Sequence, residues 1–189
     1  MRYKPKTPVK TSEMSTTTIG TQEWVTEDLK VTKFHNGEDI PLVTDNKQWS
    51  QLTTAAYCIT PDGNYLYNWY AVNDSRGLAP EGFHVPSDDE WTELTKSLGG
   101  EDIAGKELKS TDWNGTNSSG FSASPKGFRD SNYGIFYNLG FLGYWWSATA
   151  YDTHYAYSRD LTPNYSDIYR NYFNLQSGFS VRCIKTQIK

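Results

Sequence analysis

A chain of 189 residues with a formal net charge of −4 has room for one domain with a real core and is short for two. Its basic residues are scattered, so no basic stripe favours a nucleic-acid partner, and no apolar run approaches the roughly 18 residues that a membrane span needs. Mean hydropathy is −0.70, yet 15% of the residues are aromatic, including seven Trp and fourteen Tyr, and a composition so rich in rings excludes disorder for most of the chain.

In chain order, residues 1–18 are rich in Pro, Lys, Thr and Ser and read as a flexible tail, with residues 19–189 as a single domain. Met1–Lys10 is positive but has no apolar segment after it, so it does not read as a signal peptide. Short strands are expected around Gln22–Val25 and Lys30–Phe34, with a hairpin-type turn at Asn36-Gly37. A short helix is expected within 45–56, then a turn at Pro61-Asp-Gly-Asn. The aromatic run Tyr65-Leu-Tyr-Asn-Trp-Tyr-Ala-Val reads as a buried strand or an irregular segment on the core.

The clearest helix follows Pro86. Ser87 supplies the N-cap, Glu90 completes a capping box, Trp91, Leu94 and Leu98 share one face, and Gly99-Gly100 ends the helix. A second helix is expected over 102–108. Beyond Asp112 the pattern is short strands and loops, closing with Gly178-Phe-Ser-Val-Arg-Cys-Ile, whose alternation reads as a half-buried strand. These elements predict an α+β domain. Trp24, Trp49, Trp69, Trp91, Trp113 and Trp145 are the candidates for core packing. Cys58 and Cys183 have neither zinc nor CxxC spacing, and the sequence leaves open two buried thiols or one long-range disulfide.

Five phrases carry a family resemblance: Gly82-Phe-His-Val-Pro-Ser-Asp-Asp-Glu-Trp-Thr-Glu-Leu, Ala104-Gly-Lys-Glu-Leu-Lys-Ser, Asn117-Ser-Ser-Gly-Phe-Ser-Ala, Tyr144-Trp-Trp-Ser-Ala-Thr and Gly178-Phe-Ser-Val-Arg-Cys. In this order, from about Gly20 to Lys185, they resemble the Fibrobacter-type major paralogous domain. The resemblance implies a C-type lectin-like fold, with two helices packed on short, mostly antiparallel strands in a loop-rich domain. It also implies a cell-surface or phage-particle setting. At Ala104-Gly-Lys-Glu the chain departs from a commonly small or Gly-rich stretch, a change with no evident functional weight in the sequence.

The stretch from Tyr151 to Asn174 holds six of the fourteen Tyr, interleaved with Asp, Ser, Asn, His and Arg. Tyr gives large amphipathic contact area at low rotamer cost, and the small polar residues give adaptable hydrogen bonds, as in antibody-like paratopes. Its place between Trp146-Ser147 and Gly178-Phe179 is similar to the layout of the variable proteins of diversity-generating retroelements, whose variable residues precede the last strand. The expected ligand-contacting residues are Tyr151, Asp152, His154, Tyr155, Tyr157, Arg159, Asn164, Tyr165, Asp167, Tyr169, Asn171 and Tyr172.

The expected function is non-enzymatic binding of a protein or glycan receptor on another cell or particle, without nucleic acid, membrane insertion, metal or cofactor. A homo-oligomer is left open, and a structural or carbohydrate-binding module of a bacterial surface assembly is the alternative. His35, His84 and His154 are isolated, with His84 read as structural, and a helix N-terminus explains the acidic trio Asp88, Asp89 and Glu90. The fold resemblance extends to formylglycine-generating enzymes, but their pair of nearby C-terminal cysteines is missing here, so that activity is not carried over.

Overall fold

In a computed structural model, which describes residues 14–187, the first strand begins inside the segment expected to be a tail. β1 (Thr16–Ile19) and β2 (Gln22–Val25) form an antiparallel hairpin with Thr16 opposite Val25 and Ile19 opposite Gln22. Gly20 in the turn takes φ 61°, a left-handed value that a Cβ would strain. The expected tail is therefore corrected at its end: Met14 packs against the core and Thr16–Thr18 pair with β2, while residues 1–13 lie outside the described ones. The strand expected over 30–34 does not form. Lys33 makes only an isolated bridge to Asp39, and Phe34 N donates to Glu38 O at 2.9 Å, closing a loop around Asn36 and Gly37.

α1 (Asn46–Ser50) begins at Asp45, whose Oδ1 accepts from Gln48 N at 2.7 Å. β3 (Tyr57–Ile59) and β4 (Tyr65–Tyr67) pair around the Pro61–Asn64 turn. The aromatic run then switches from strand to helix at Asn68, whose Oδ1 accepts from Ala71 N and caps α2 (Trp69–Val72). After β5 (Phe83–His84) comes α3 (Asp88–Ser97), which carries the expected capping box: Ser87 N donates to Glu90 Oε2 at 2.7 Å and Glu90 N to Ser87 Oγ at 3.3 Å. Gly99 and Gly100, at φ 94° and 107°, break α3 from α4 (Glu101–Leu108). The remaining strands are β6 (Phe128–Arg129), β7 (Phe136–Tyr137), β8 (Gly143–Ala150), β9 (Tyr155–Leu161), β10 (Tyr169–Asn174) and β11 (Ile184–Lys185).

Four antiparallel sheets result. The largest, in the order β1-β2-β11-β5, joins the first strands to the last, with Trp24 opposite Ile184. The second, in the order β10-β9-β8, leaves β10 at an edge, and β3–β4 and β6–β7 are hairpins. The architecture is α+β and loop-rich, with four helices rather than the two principal ones expected.

The closing segment is corrected as well. Residues 177–184 are all buried, and only Ile184–Lys185 is a strand. The chain threads between β4 and β8: Phe179 and Tyr67 exchange backbone bonds of 3.1 and 2.9 Å, while Ser180 bridges Tyr144 and Trp146. Its alternating polar residues are buried instead of facing water, Arg182 with interior partners and Ser180 with its hydroxyl unpaired. Arg182 donates from Nε to Asp28 Oδ1 at 2.8 Å and from Nη1 to Val25 O at 3.1 Å.

All seven Trp are buried, the six candidates and Trp146 alike. Trp24 lies 4.8 Å from Trp91, and Trp146 stacks on Phe179 at 4.3 Å, ring contacts that add to the area each ring buries. Cys58 and Cys183 are free thiols in separate apolar clusters, and burial pushes each up to about 12. The disulfide alternative does not hold. Among the described residues no helix is long and apolar enough to cross a membrane.

Candidate binding surface

In an antiparallel ladder, directly opposed residues share a face and neighbours along the strand alternate. β9 and β10 pair with Tyr155 opposite Asn174, Tyr157 opposite Tyr172, and Arg159 opposite Arg170. One face of this ribbon thus carries Tyr155, Tyr157, Arg159, Arg170 and Tyr172, and the other carries Ala156, Ser158, Asp160, Tyr169, Asn171 and Phe173.

The β8–β9 turn brings Tyr151 onto the first face. Asp152 Oδ1 accepts from His154 N at 2.7 Å and Tyr155 N at 2.9 Å, and Tyr151 N donates to Tyr155 O. Tyr151 stacks flat on Tyr172, with centroids 4.2 Å apart and planes 4° apart. Tyr157 meets Tyr151 edge-on at 5.4 Å, and Tyr155 meets Tyr172 at 5.7 Å. Tyr151, Tyr155 and Tyr172 remain 48%, 39% and 50% exposed, which distinguishes this cluster from the buried rings of the core.

Two arginines anchor the face to α3. Asp88 Oδ1 accepts from Arg159 Nη1 at 2.7 Å, and its Oδ2 accepts from Arg170 Nε at 2.9 Å and Nη2 at 2.8 Å. Burial alone would raise the Asp88 pKa, but the hydrogen bonds from Arg170 and Arg159 outweigh it and hold the carboxyl below its usual range. Arg170 also lies over the Tyr157 ring, 3.9 Å from its centroid. Two expectations change here. Arg159 is 2% exposed, held by Asp88 and Thr92, and is a structural residue unable to touch a ligand. Asp88 is more than a helix-terminal acid, since it ties α3 to β9 and β10. Glu90 caps α3 through Oε2, and its Oε1 accepts from His84 Nε2 at 2.7 Å, which matches the structural reading of His84.

The twelve expected residues therefore do not form one patch. Tyr151, Asp152, His154, Tyr155, Tyr157 and Tyr172 come together. Asn164, Tyr165 and Asp167 sit on the β9–β10 loop, and Tyr169, on the ribbon's opposite face, donates to Asp167 Oδ2 at 2.9 Å. Asn171 is engaged by Asp160 Oδ2 at 2.6 Å. Asp160 is buried, and burial pushes its carboxyl up to about 6 despite bonds from Asn171 and Ser158.

Lys109 clamps that loop onto α4. It is 1% exposed, and its ammonium donates to Thr162 O at 2.6 Å and Tyr165 O at 2.7 Å. Lys106 N donates to Ser166 O, and a Cβ on Gly105 would sit 2.1 Å from Asp167 O. The Ala104-Gly-Lys-Glu-Leu-Lys phrase thus has a structural task that its sequence did not disclose.

Arg170 and Lys109 were missed as contributors. Arg170 had a signal, since it lies within the Tyr-rich stretch, but Lys109 is 53 residues from its partner and had none. Two surface clefts lie apart from the tyrosine face. One, of about 350 Å³, is lined by His35, Leu78, Phe83 and His84 among others, and one of about 450 Å³ by Thr54, Trp69, Tyr70, Asn73, Asp74 and Arg76 among others.

Fold and surface together define a loop-rich α+β domain of small antiparallel sheets with an exposed tyrosine ladder at one edge. The chain belongs to the Fibrobacter succinogenes major domain family, whose model matches residues 17–185. Neither the comparison with curated proteins nor that with solved structures found a match.

Proposed function

We propose that this chain is a non-enzymatic binding domain with a C-type lectin-like scaffold that presents the β8–β10 tyrosine face to a receptor on another cell or particle. In this reading it acts as a surface adhesin or phage attachment protein, of the kind diversified by a retroelement. The observation that carries it is the exposed, mutually stacked set Tyr151, Tyr155 and Tyr172, held on a ribbon that Asp88 and two arginines fix to α3. Rigid aromatic contact area of this sort binds at low entropic cost. The non-enzymatic reading is supported by the reactive residue types themselves. Both thiols are buried and pushed up to about 12, far from a nucleophilic thiolate at neutral pH, and His84 is tied to Glu90 and Thr186.

The test compares the wild-type domain with a Tyr151→Ala/Tyr155→Ala/Tyr172→Ala variant on glycan arrays and on panels of bacterial and host cell surfaces. The triple variant should lose capture while its Tm stays within about 3 °C, as exposed side chains permit. Retained capture, or collapse of the fold, would remove the tyrosine face from the binding role. For retroelement diversification, sequencing of sibling genes should concentrate substitutions between 151 and 174; an even spread along the gene would rule it out. The cleft beside Trp69 and Tyr70 favours the second reading, a carbohydrate-binding module, because it sets Asn73, Asp74 and Arg76 beside aromatic rings. Glycan capture that survives the triple variant and is lost on Tyr70→Ala would select it.

A further inference from the structure

The tyrosine face is uneven in its unengaged polar groups. Of its nearby carboxylates, Asp88 is neutralised by Arg159 and Arg170, whereas Asp152 accepts two backbone N–H groups through Oδ1 alone and keeps its charge in the β8–β9 turn. Two guanidiniums share the single Asp88 carboxylate, so this group keeps one net positive charge. Among the described residues, Arg170 engages only the Asp88 carboxylate and the Tyr157 side chain, and the hydroxyls of Tyr151, Tyr155 and Tyr172 have no hydrogen-bond partner. The Arg170 side chain is 40% exposed, so it reaches solvent as well as Asp88. We propose that this face is a docking site for an acidic segment of a protein partner, with Arg170 as the residue that selects a carboxylate. The inference rests on the reading of the tyrosine face as the binding surface.

Three physical arguments lead there. First, Arg170 is ordered before any partner arrives. Its fork on Asp88 and its stacking on Tyr157 fix the guanidinium plane, so a carboxylate meeting Nη1 need not freeze a flexible side chain. Second, the face is the surface of a paired ribbon, with Tyr155, Tyr157, Tyr172 and Arg170 side by side on one side of β9 and β10. Small ligands favour concave sites, whereas flat surfaces suit macromolecules. Third, Tyr and Arg are the residues that recur as energetic anchors of protein interfaces, and aromatic rings around a charged pair exclude water from it. On a chain whose net charge is −4, Arg170 would also set where an acidic partner docks and in which orientation.

The experiment selects a phage-displayed random peptide library on the immobilised wild-type domain, then measures the enriched peptides against three variants. The expected peptides combine Asp or Glu with aromatic residues. They should bind Arg170→Gln roughly tenfold or more weakly, and Arg170→Lys should recover only part of the loss, because an ammonium lacks the fork. Raising salt from about 50 to about 500 mM should weaken the wild type and leave Arg170→Gln nearly unchanged. Arg159 still holds Asp88 in both arginine variants, and if Arg170→Gln unfolds, Arg170→Lys with the salt series carries the test. Peptides without acidic enrichment, or with equal affinity for Arg170→Gln, would overturn the proposal. So would capture of uronic or sulfated glycans with no peptide selected. Peptides lost on Tyr151→Ala/Tyr172→Ala but indifferent to Arg170 would sink only the acidic partner; peptides indifferent to every variant would sink the tyrosine face with it.

Discussion

Single buried charges mark the places where one residue holds distant segments together. Asp28 accepts from Trp145 Nε1 at 2.8 Å, from Lys126 at 2.6 Å and from Arg182. Burial would raise its pKa, but Arg182 and Lys126 offset this and hold it down at about 2, so its stabilisation is intact above pH 4 and is lost only as pH falls toward 2. Asp160 behaves oppositely. Burial outweighs the bonds from Asn171 and Ser158 and the nearby Arg159 charge, and its carboxyl is pushed up from 3.8 to about 6. A folded-state pKa above the unfolded one means the native state binds the extra proton between those values, so stability from Asp160 is present at acid pH and lost as pH rises from about 4 through 6. The full swing is on the order of 3 kcal/mol as an upper bound. Asp88 and Glu90, whose pKa values are lowered, act in the other direction over the acid range, so the Asp160 contribution appears as a difference between two proteins. Urea melts of wild type and Asp160→Asn should show the variant gaining on the wild type as pH rises from 4 to 7. A constant difference across that window would mean that Asp160 is ionised throughout.

At the scale of elements, legibility followed the range of the interactions that define each one. α3 was readable because its signals, Ser87, Glu90 and the Trp91–Leu94 face, lie within one stretch of sequence. α2 reads in sequence as a buried strand or irregular segment because the rings of 65–72 hide the helix start, and the one local sign is Asn68 as an N-cap. The last segment deceived for a different reason. Its alternation is real, but Arg182 faces interior partners supplied by residues far away and Ser180 is buried with its hydroxyl unpaired, so polarity did not mean exposure. The Tyr-rich stretch was legible as surface in composition, while the alternation of β10 divided it between two faces and the ion pair to Asp88 took Arg159 inside. The β9–β10 loop depends on α4 in a way no local reading reaches. Lys109→Met should leave the partly buried Thr162 and Tyr165 carbonyls without their donor, at about 1–3 kcal/mol, and raise hydrogen-exchange rates across 162–168. Gly105→Ala should disturb the same loop through its contact with Asp167 O, with little change elsewhere. Unchanged exchange in both variants would show that the loop is held by its own turn geometry.

Across the whole molecule, stability and display are assigned to different residues on the same strands. β8 contributes Trp145 and Trp146, both at most 1% exposed, and one turn later Tyr151 is 48% exposed. Trp146 is stacked on Phe179 and donates to Tyr67 O at 2.8 Å, so it links the second sheet to β4 and to the threaded C-terminal segment. Removing such a ring leaves a cavity among rigid neighbours, and Trp146→Ala should cost about 3–5 kcal/mol. The first sheet joins both ends of the domain through Trp24 and Ile184, which makes the scaffold cooperative across its length. Substitutions at Tyr151, His154, Tyr155, Asn164, Tyr165 and Tyr172 touch none of these links and should each stay within about 0.5 kcal/mol of the wild type, whereas Asp152 closes the β8–β9 turn and should be less tolerant. A saturation scan with a protease-resistance readout separates the two classes directly. A scaffold built for a changeable surface should accept nearly every residue at those six positions and almost none at Trp24, Trp145, Trp146 or Arg182. Intolerance spread evenly over both sets would mean that the tyrosines hold the fold, and would leave the displayed surface without a rigid frame to vary upon.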